Sequence, residues 1–139
     1  MAQLVREVMT AAPVAVGTLT GVGEAAQRMR DEDIGAVLVT ERDRLRGLVT
    51  DRDLVVRVLA EGRDPDRTTV REVCSPELVT VAPDDEAGHA VDLMRRHALR
   101  RLPVVEDGEA VGMVALGDLA LERDPGSALG EISASTANT

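Results

Sequence analysis

The sequence of 139 residues has no aromatic side chain and no lysine, so each of its 16 cationic residues is an arginine. Without aromatic rings, nothing in the chain can stack on a nucleobase, which excludes the usual platforms for single-stranded DNA and RNA. The formal net charge of -9 also disfavours a polyanionic partner. We therefore expect no nucleic-acid partner, whereas a single nucleotide in a locally basic pocket is compatible with this composition.

Cysteine is also scarce, because Cys74 is the single thiol. The chain cannot form an internal disulfide and shows no sign of an oxidising compartment. No apolar run approaches the length that spans a membrane, and 1–9 contains Arg6 and Glu7 where a signal peptide would have apolar residues. These absences predict a soluble, cytoplasmic protein with no membrane association.

Catalytic and metal-binding patterns are missing as well. The two histidines, His89 and His97, lack the spacing of a metal pair on one helical face, and no cysteine joins them. No Ser-His-Asp or Cys-His grouping has a spacing in the sequence that indicates a catalytic site. We predict neither a metal site nor an enzyme.

What the sequence does contain is an internal duplication. Residues 5–54 match 70–119 at a constant offset of 65 without a gap. Each repeat alone is small enough to be marginally stable, so we expect the two halves to fold as one unit. Cys74 aligns with Met9, which favours a packed apolar position for the thiol.

The periodicity predicts the same α+β order, strand-helix-strand-strand-helix, in both repeats. Apolar residues recur at helical spacing in 19–32 and 84–97, and two strands joined by a short polar turn follow each helix. A last helix is predicted over 51–61, ending at Gly62, and over 117–123. The chain therefore divides into a first repeat (1–62), a linker (63–69), a second repeat (70–125) and a flexible tail (126–139).

Thr50 and Asp53 form the most informative local pattern, at the junction between a strand and a helix. Backbone N–H groups at a helix start favour an anion, and the Asp53 carboxylate can accept hydrogen bonds from the two hydroxyls of a ribose. The alternative is a capping box, since Thr-x-x-acid is its ordinary signature. In the second repeat Ala115 has lost the hydroxyl while Asp118 persists, which favours a ligand role for the acids.

A run of arginines beside a predicted strand is the other candidate. Arg95 and Arg96 fall at a helix C-terminus, where cations are favourable without any function. Arg100 and Arg101 begin a strand, and adjacent strand residues point to opposite faces, so one of them can face a pocket. A solvated surface is the alternative.

Three features together resemble the tandem CBS-domain pair, or Bateman module, over 4–123. They are the opening Val5-Arg6-Glu7-Val8-Met9-Thr10, the strand motif Leu102-Pro103-Val104-Val105, and the repeat endings 47–54 and 112–119. The segment 50–62 is similar to small stand-alone bacterial members related to hypoxic response protein. The resemblance implies an α+β fold of two CBS repeats, in which two three-stranded sheets form a pseudo-twofold pair with two clefts.

The resemblance also implies a ligand, an adenosine-containing compound such as AMP, ADP, ATP or S-adenosylmethionine, with no cofactor required. Carried over by position, the main cleft would place the ribose at the acid, the adenine beside two apolar residues and the phosphate at an arginine; these residues are Thr50, Asp53, Leu78, Val79, Arg100 and Arg101. The second cleft lacks the hydroxyl and the arginines and is expected to be weaker; it would be formed by Pro13, Val14, Gly35, Ala36 and Asp118.

Two functions follow as hypotheses. The first is a regulatory module that senses an adenosine ligand in the main cleft. The second is a structural or interaction protein, for example in a stress response, that binds no nucleotide and is stabilised as a homodimer through helix faces near 25–29 and 55–59. The protein partner is not identified by the sequence.

Overall fold

The computed structural model describes residues 3–75 and 78–123, and these divide into two compact units. The first unit is formed by 14–75 and Leu78, and the second by 3–13 together with 79–123. The compact units are thus offset from the sequence repeats, because the first residues of each repeat pack with the remainder of the other repeat. None of the helices in the described ranges is long and apolar enough to cross a membrane.

The mixed α+β character expected from the sequence is confirmed. In chain order the elements are α1 Val5–Val8, β1 Thr10–Ala11, β2 Ala15–Gly17, α2 Val22–Glu32, β3 Ala36–Glu41, β4 Arg44–Thr50, α3 Asp51–Leu54, a π-helical turn Val55–Leu59, α4 Val70–Val73, α5 Ala87–His97, β5 Arg101–Glu106, β6 Glu109–Ala115 and α6 Leu116–Arg123.

The first unit contains a sheet of order β2-β3-β4, in which β2 runs parallel to β3 and β3 antiparallel to β4. Ser75 adds an antiparallel bridge to Leu48 at the free edge of β4. Helix α2 covers this sheet with Val22, Ala25 and Met29, which recur every three or four residues and are buried.

The second unit repeats this arrangement with the order β1-β6-β5. Val81 bridges Val104 in parallel, as Val16 pairs in parallel with Val39 in the first unit. Helix α5 supplies the apolar face, buried through Ala87, Ala90 and Met94. The two sheets therefore have equivalent pairings at the offset of the duplication.

Both long helices begin three residues later than the sequence predicts. The cause is long-range pairing of the backbone before each helix. Gly21 forms a bridge with Thr69, and Val22 donates its N–H to the Thr68 carbonyl at 2.9 Å. In the second unit Glu86 bridges Leu4 in the same way. A backbone held in such a bridge cannot also be helical.

The helix predicted over 51–61 is only one α-helical turn, followed by the π-helical turn Val55–Leu59. Its end at Gly62 is confirmed: Gly62 has a φ of +68° and donates its N–H to the Leu59 carbonyl at 3.1 Å.

Gly47 and Gly112 allow the first segment of the other repeat to approach each sheet closely. A Cβ at Gly47 would lie 2.7 Å from Cys74 Sγ, and one at Gly112 would lie 2.5 Å from Met9 Sδ. Both sulfur-bearing side chains pack against the core of their own unit. The prediction that Cys74 occupies a packed position equivalent to Met9 is confirmed.

Candidate functional site

Thr50 and Asp53 lie where β4 ends and α3 begins, and they form a complete capping box. Thr50 Oγ1 accepts a hydrogen bond from the Asp53 N–H at 3.1 Å, and Asp53 Oδ2 accepts one from the Thr50 N–H at 2.9 Å. The structural alternative considered for this motif is therefore present. Its consequence is that the Asp53 side chain is held in one orientation.

The second carboxylate oxygen of Asp53 takes no part in the capping box. Its Oδ1 lies 3.8 Å from Nε of Arg57, one turn further along the helix, and the side chain is 16% exposed. Arg57 also donates from Nη1 to the Val73 carbonyl at 3.1 Å. The sequence analysis missed Arg57, although its i,i+4 spacing from Asp53 could have indicated the pair.

Gly35 and Ala36 lie at the same end of the first unit as Thr50. Ala36 pairs with Thr50 across the β3-β4 hairpin, and the Gly35 carbonyl accepts a hydrogen bond from the Asp51 N–H at 2.9 Å. Val14 precedes β2, and its carbonyl accepts from the Leu38 N–H at 3.0 Å. The first unit thus brings together residues that the sequence analysis assigned to different clefts.

Leu78, Pro13 and Val79 were also assigned to the clefts. All three are half-buried, and Val79 packs against the core of the second unit.

The equivalent end of the second unit carries Arg100, Arg101 and Asp118. Arg101 pairs with Ala115 across the β5-β6 hairpin, and the Arg100 carbonyl accepts from the Leu116 N–H at 2.8 Å. Within the described residues neither arginine has an ion-pair partner; Arg100 is exposed and Arg101 half-buried. The grouping of residues from both repeats around one ligand stays a prediction.

Asp118 lies in the first turn of α6, at the position that corresponds to Asp53 in the duplication. Burial raises the pKa of its carboxyl group, and a hydrogen bond from the Ala115 N–H opposes that effect. The ligand role suggested for Asp118 stays a prediction.

The two helix segments proposed for self-association differ in how far their apolar side chains are exposed. Ala25 and Met29 are buried in the core of the first unit, so these two side chains are not part of its surface; an interface through this helix stays a prediction. On the π-helical turn, Val55, Val56 and Leu59 are 55%, 44% and 69% exposed. An apolar surface exists there and is not covered within the described residues.

No group of three or more histidine, cysteine or acidic side chains in the described part of the chain is placed to hold a metal ion.

Comparisons with known proteins agree with the duplication. A model of the CBS domain matches residues 5–60 and again residues 70–123. The CBS domain-containing protein YhcV of Bacillus subtilis is 42% identical over 133 residues, which cover 93% of this chain and 94% of the relative. Hypoxic response protein 1 of Mycobacterium tuberculosis is 36% identical over 116 residues, covering 83% and 81%.

Solved structures show the same fold. A crystal structure of Hypoxic Response Protein I with two coordinated zinc ions has a TM-score of 0.78 and 35% identity, covering 85% of this chain and 97% of the other. A hexameric CBS-CP12 protein from bloom-forming cyanobacteria has a TM-score of 0.80 and 26% identity, covering 90% and 74%. The chain therefore belongs to the CBS-domain family, with one CBS domain in each repeat.

Proposed function

We propose that this CBS pair is a regulatory module that binds an adenosine-containing nucleotide, with the Asp53 carboxylate accepting hydrogen bonds from the ribose. The observation that carries the proposal is that the two carboxylate oxygens of Asp53 have different partners. Oδ2 accepts from the Thr50 N–H, whereas the partner of Oδ1 among the described residues is Arg57 at 3.8 Å. A carboxylate fixed through one oxygen can present the other to a hydroxyl without losing rotamer entropy on binding.

The remaining contacts follow the family resemblance. Leu78 and Val79 are the proposed neighbours of the adenine, and Arg100 or Arg101 is the proposed phosphate ligand. The support for the arginines is that both lack an ion-pair partner among the described residues. An unpaired guanidinium can form a bidentate bond to phosphate without first breaking an internal pair.

A weaker second site is proposed around Pro13, Val14, Gly35, Ala36 and Asp118. Its acid is less suited to accept ribose hydroxyls, because burial raises the pKa of the Asp118 carboxyl and so disfavours its charged form. No arginine stands at Gly35 or Ala36.

Isothermal titration of the protein with AMP, ADP, ATP, S-adenosylmethionine and adenosine tests this function. The proposal predicts saturable binding of at least one nucleotide, and a larger loss of affinity for AMP than for adenosine in Arg101→Gln. Equal losses for the two ligands would argue against a phosphate contact. No saturable binding of any of the five would contradict the function itself.

A second function, a structural or interaction homodimer, is favoured by the apolar surface of Val55, Val56 and Leu59. Exposed apolar side chains grouped on one helical turn are typical of a protein interface. A hexameric relative with the same fold supports self-association in this family. A dimeric mass by light scattering, together with a thermal-shift panel without nucleotide hits, would favour this function over the first.

A further inference from the structure

The first unit contains an open pocket of about 470 Å³, lined by Thr18, Glu41, Arg46, Arg71 and Cys74. Its position is set by the turn end of the β3-β4 hairpin, where Glu41 pairs with Arg44. Thr50 and Ala36 pair at the other end of the same hairpin. None of the five lining residues is among the proposed adenosine-binding residues, although burial, together with the charge of Asp53, raises the pKa of the Cys74 thiol.

Two guanidinium groups line the pocket against one carboxylate. Arg46 Nη2 lies 3.6 Å from Glu41 Oε1, with both side chains about half exposed. Arg71 is exposed and has no ion-pair partner among the described residues. This local excess of positive charge stands out in a chain of net charge -9.

Comparison with the second unit shows that the charge is specific to this pocket. At the offset of the duplication, Arg71 corresponds to Arg6, which is neutralised by an ion pair with Asp84. The residue that corresponds to Asp84 is Leu19, whose side chain is 75% exposed. The first unit has thus lost the carboxylate partner while keeping the arginine.

Two further differences between the repeats also make the pocket of the first unit more favourable for an anion. Arg46 corresponds to Val111, so a second cation has replaced an apolar residue. Thr18 corresponds to Pro83, so the first unit has gained a hydroxyl that can donate a hydrogen bond. All three differences favour the binding of an anion in the first unit. The equivalent place in the second unit lacks these features.

We infer that this pocket is a second ligand site, which binds a small oxyanion, a phosphate or carboxylate group, between Arg46 and Arg71. The volume lies in the range of about 300 to 1,000 Å³ that is typical of small-molecule pockets, so the oxyanion can belong to a larger metabolite. Thr18 would donate its hydroxyl to the oxyanion, and Glu41 would limit the affinity by competing for Arg46.

Cys74 provides a built-in reporter, because it lines the pocket and is the single cysteine of the chain. The experiment measures the rate of Cys74 alkylation by iodoacetamide, a neutral reagent, by intact-mass spectrometry. Inorganic phosphate, pyrophosphate and citrate are titrated separately while sodium chloride keeps the ionic strength constant.

The inference predicts saturable protection of the thiol by at least one of these anions. At ten times the Kd, mass action leaves about one-tenth of the pockets free, so the alkylation rate should fall about tenfold. Protection by phosphate and pyrophosphate alone would assign the site to phosphate groups, and protection by citrate alone to carboxylates. No protection by any of the three, or the same effect with sodium chloride, would overturn the inference.

Three variants and one matched control test the residues. Arg46→Gln and Arg71→Gln should each raise the Kd at least about tenfold, because each removes a charge-assisted hydrogen bond. Glu41→Gln should lower the Kd, which a purely structural role would not produce. Arg6→Gln, the equivalent change in the second unit, should leave it unchanged.

The result is independent of the nucleotide proposal. Burial and the charge of Asp53 both raise the pKa of Cys74, so Asp53→Asn changes the alkylation rate without anion. The ratio of the rates with and without phosphate should stay unaltered, so failure of one site does not decide the other. Unchanged protection in both Arg46→Gln and Arg71→Gln, with folding verified by circular dichroism, would show that the anion binds elsewhere.

Discussion

Thr50 and Asp53 hydrogen-bond to each other in both directions, side chain to backbone at 3.1 and 2.9 Å. The equivalent pair in the second repeat is Ala115 and Asp118, which has the acid and no hydroxyl. The duplication has therefore produced two helix starts that share an acid and differ in one hydroxyl. This difference has a measurable effect on stability before any ligand is considered.

Thr50→Val removes the capping hydroxyl while keeping a side chain of similar shape. Loss of such an N-cap typically costs about 1 kcal/mol of unfolding free energy, and we expect a cost of this size in chemical denaturation. Thr50→Ser is the matched control and should be nearly neutral, because it keeps the acceptor. A loss in Thr50→Ser but not in Thr50→Val would show that the methyl group, not the cap, stabilises this end of β4.

Asp118→Asn tests the electrostatics of the second helix start. Burial raises the pKa of Asp118 above its ordinary value of 3.8, so the native state binds this proton more tightly than the unfolded chain. The contribution of Asp118 to stability is therefore fully present at pH below 3.8 and is lost as the pH rises through the native pKa.

The asparagine of the variant does not titrate, and its amide oxygen can still accept a hydrogen bond from the Ala115 N–H. We expect Asp118→Asn to be more stable than the wild type at pH 7, with an advantage that shrinks as the pH falls toward 3.8. Denaturant unfolding across this pH range measures it. An advantage that does not change with pH would mean that the substitution acts through packing.

Gly47→Ala should destabilise the first unit, because the new Cβ would lie 2.7 Å from Cys74 Sγ and 3.1 Å from the Ser75 carbonyl oxygen. Overpacking of this kind costs roughly 1 to 3 kcal/mol. The double variant with Cys74→Ala should recover part of the loss, since only the sulfur is removed. Gly88→Ala, in helix α5 with open space around it, is the control and should gain about 0.5 to 1 kcal/mol.

Leu59→Lys tests the surface of the π-helical turn. Leu59 is 69% exposed, so the substitution should weaken self-association and leave the unfolding free energy nearly unchanged. Val58, its neighbour in sequence, is 3% exposed, and Val58→Lys should unfold the first unit. Light scattering over a range of protein concentrations measures the mass. An unchanged dimeric mass for Leu59→Lys would place the interface elsewhere.

The features that the sequence predicted well are local or repeated. The β3-β4 and β5-β6 hairpins, the apolar faces of α2 and α5, and the stop at Gly62 all depend on residues near each other in the chain. The packed position of Cys74 followed from its alignment with Met9. These predictions needed only periodicity, turn chemistry and the duplication.

The features that were missed depend on distant partners. The start of α2 is set by the bridge between Gly21 and Thr69. No local sequence pattern predicts this bridge. The pocket cation Arg71 was overlooked because it resembles Arg6, and only the ion pair of Arg6 with Asp84 shows how differently the two arginines are placed. The ligand role of Asp118 follows from the duplication and the family resemblance, and it stays a prediction.

The central claim is that one acid of the duplicated pair binds a ribose, and isothermal titration of AMP into Asp53→Asn and Asp118→Asn tests it most directly. Asparagine can still cap the helix in both variants, so the comparison isolates the carboxylate. We predict that Asp53→Asn raises the Kd by about 10- to 100-fold, the value of a charge-assisted hydrogen bond, while Asp118→Asn changes it little. An unchanged Kd in Asp53→Asn, or an equal loss in both variants, would contradict the account.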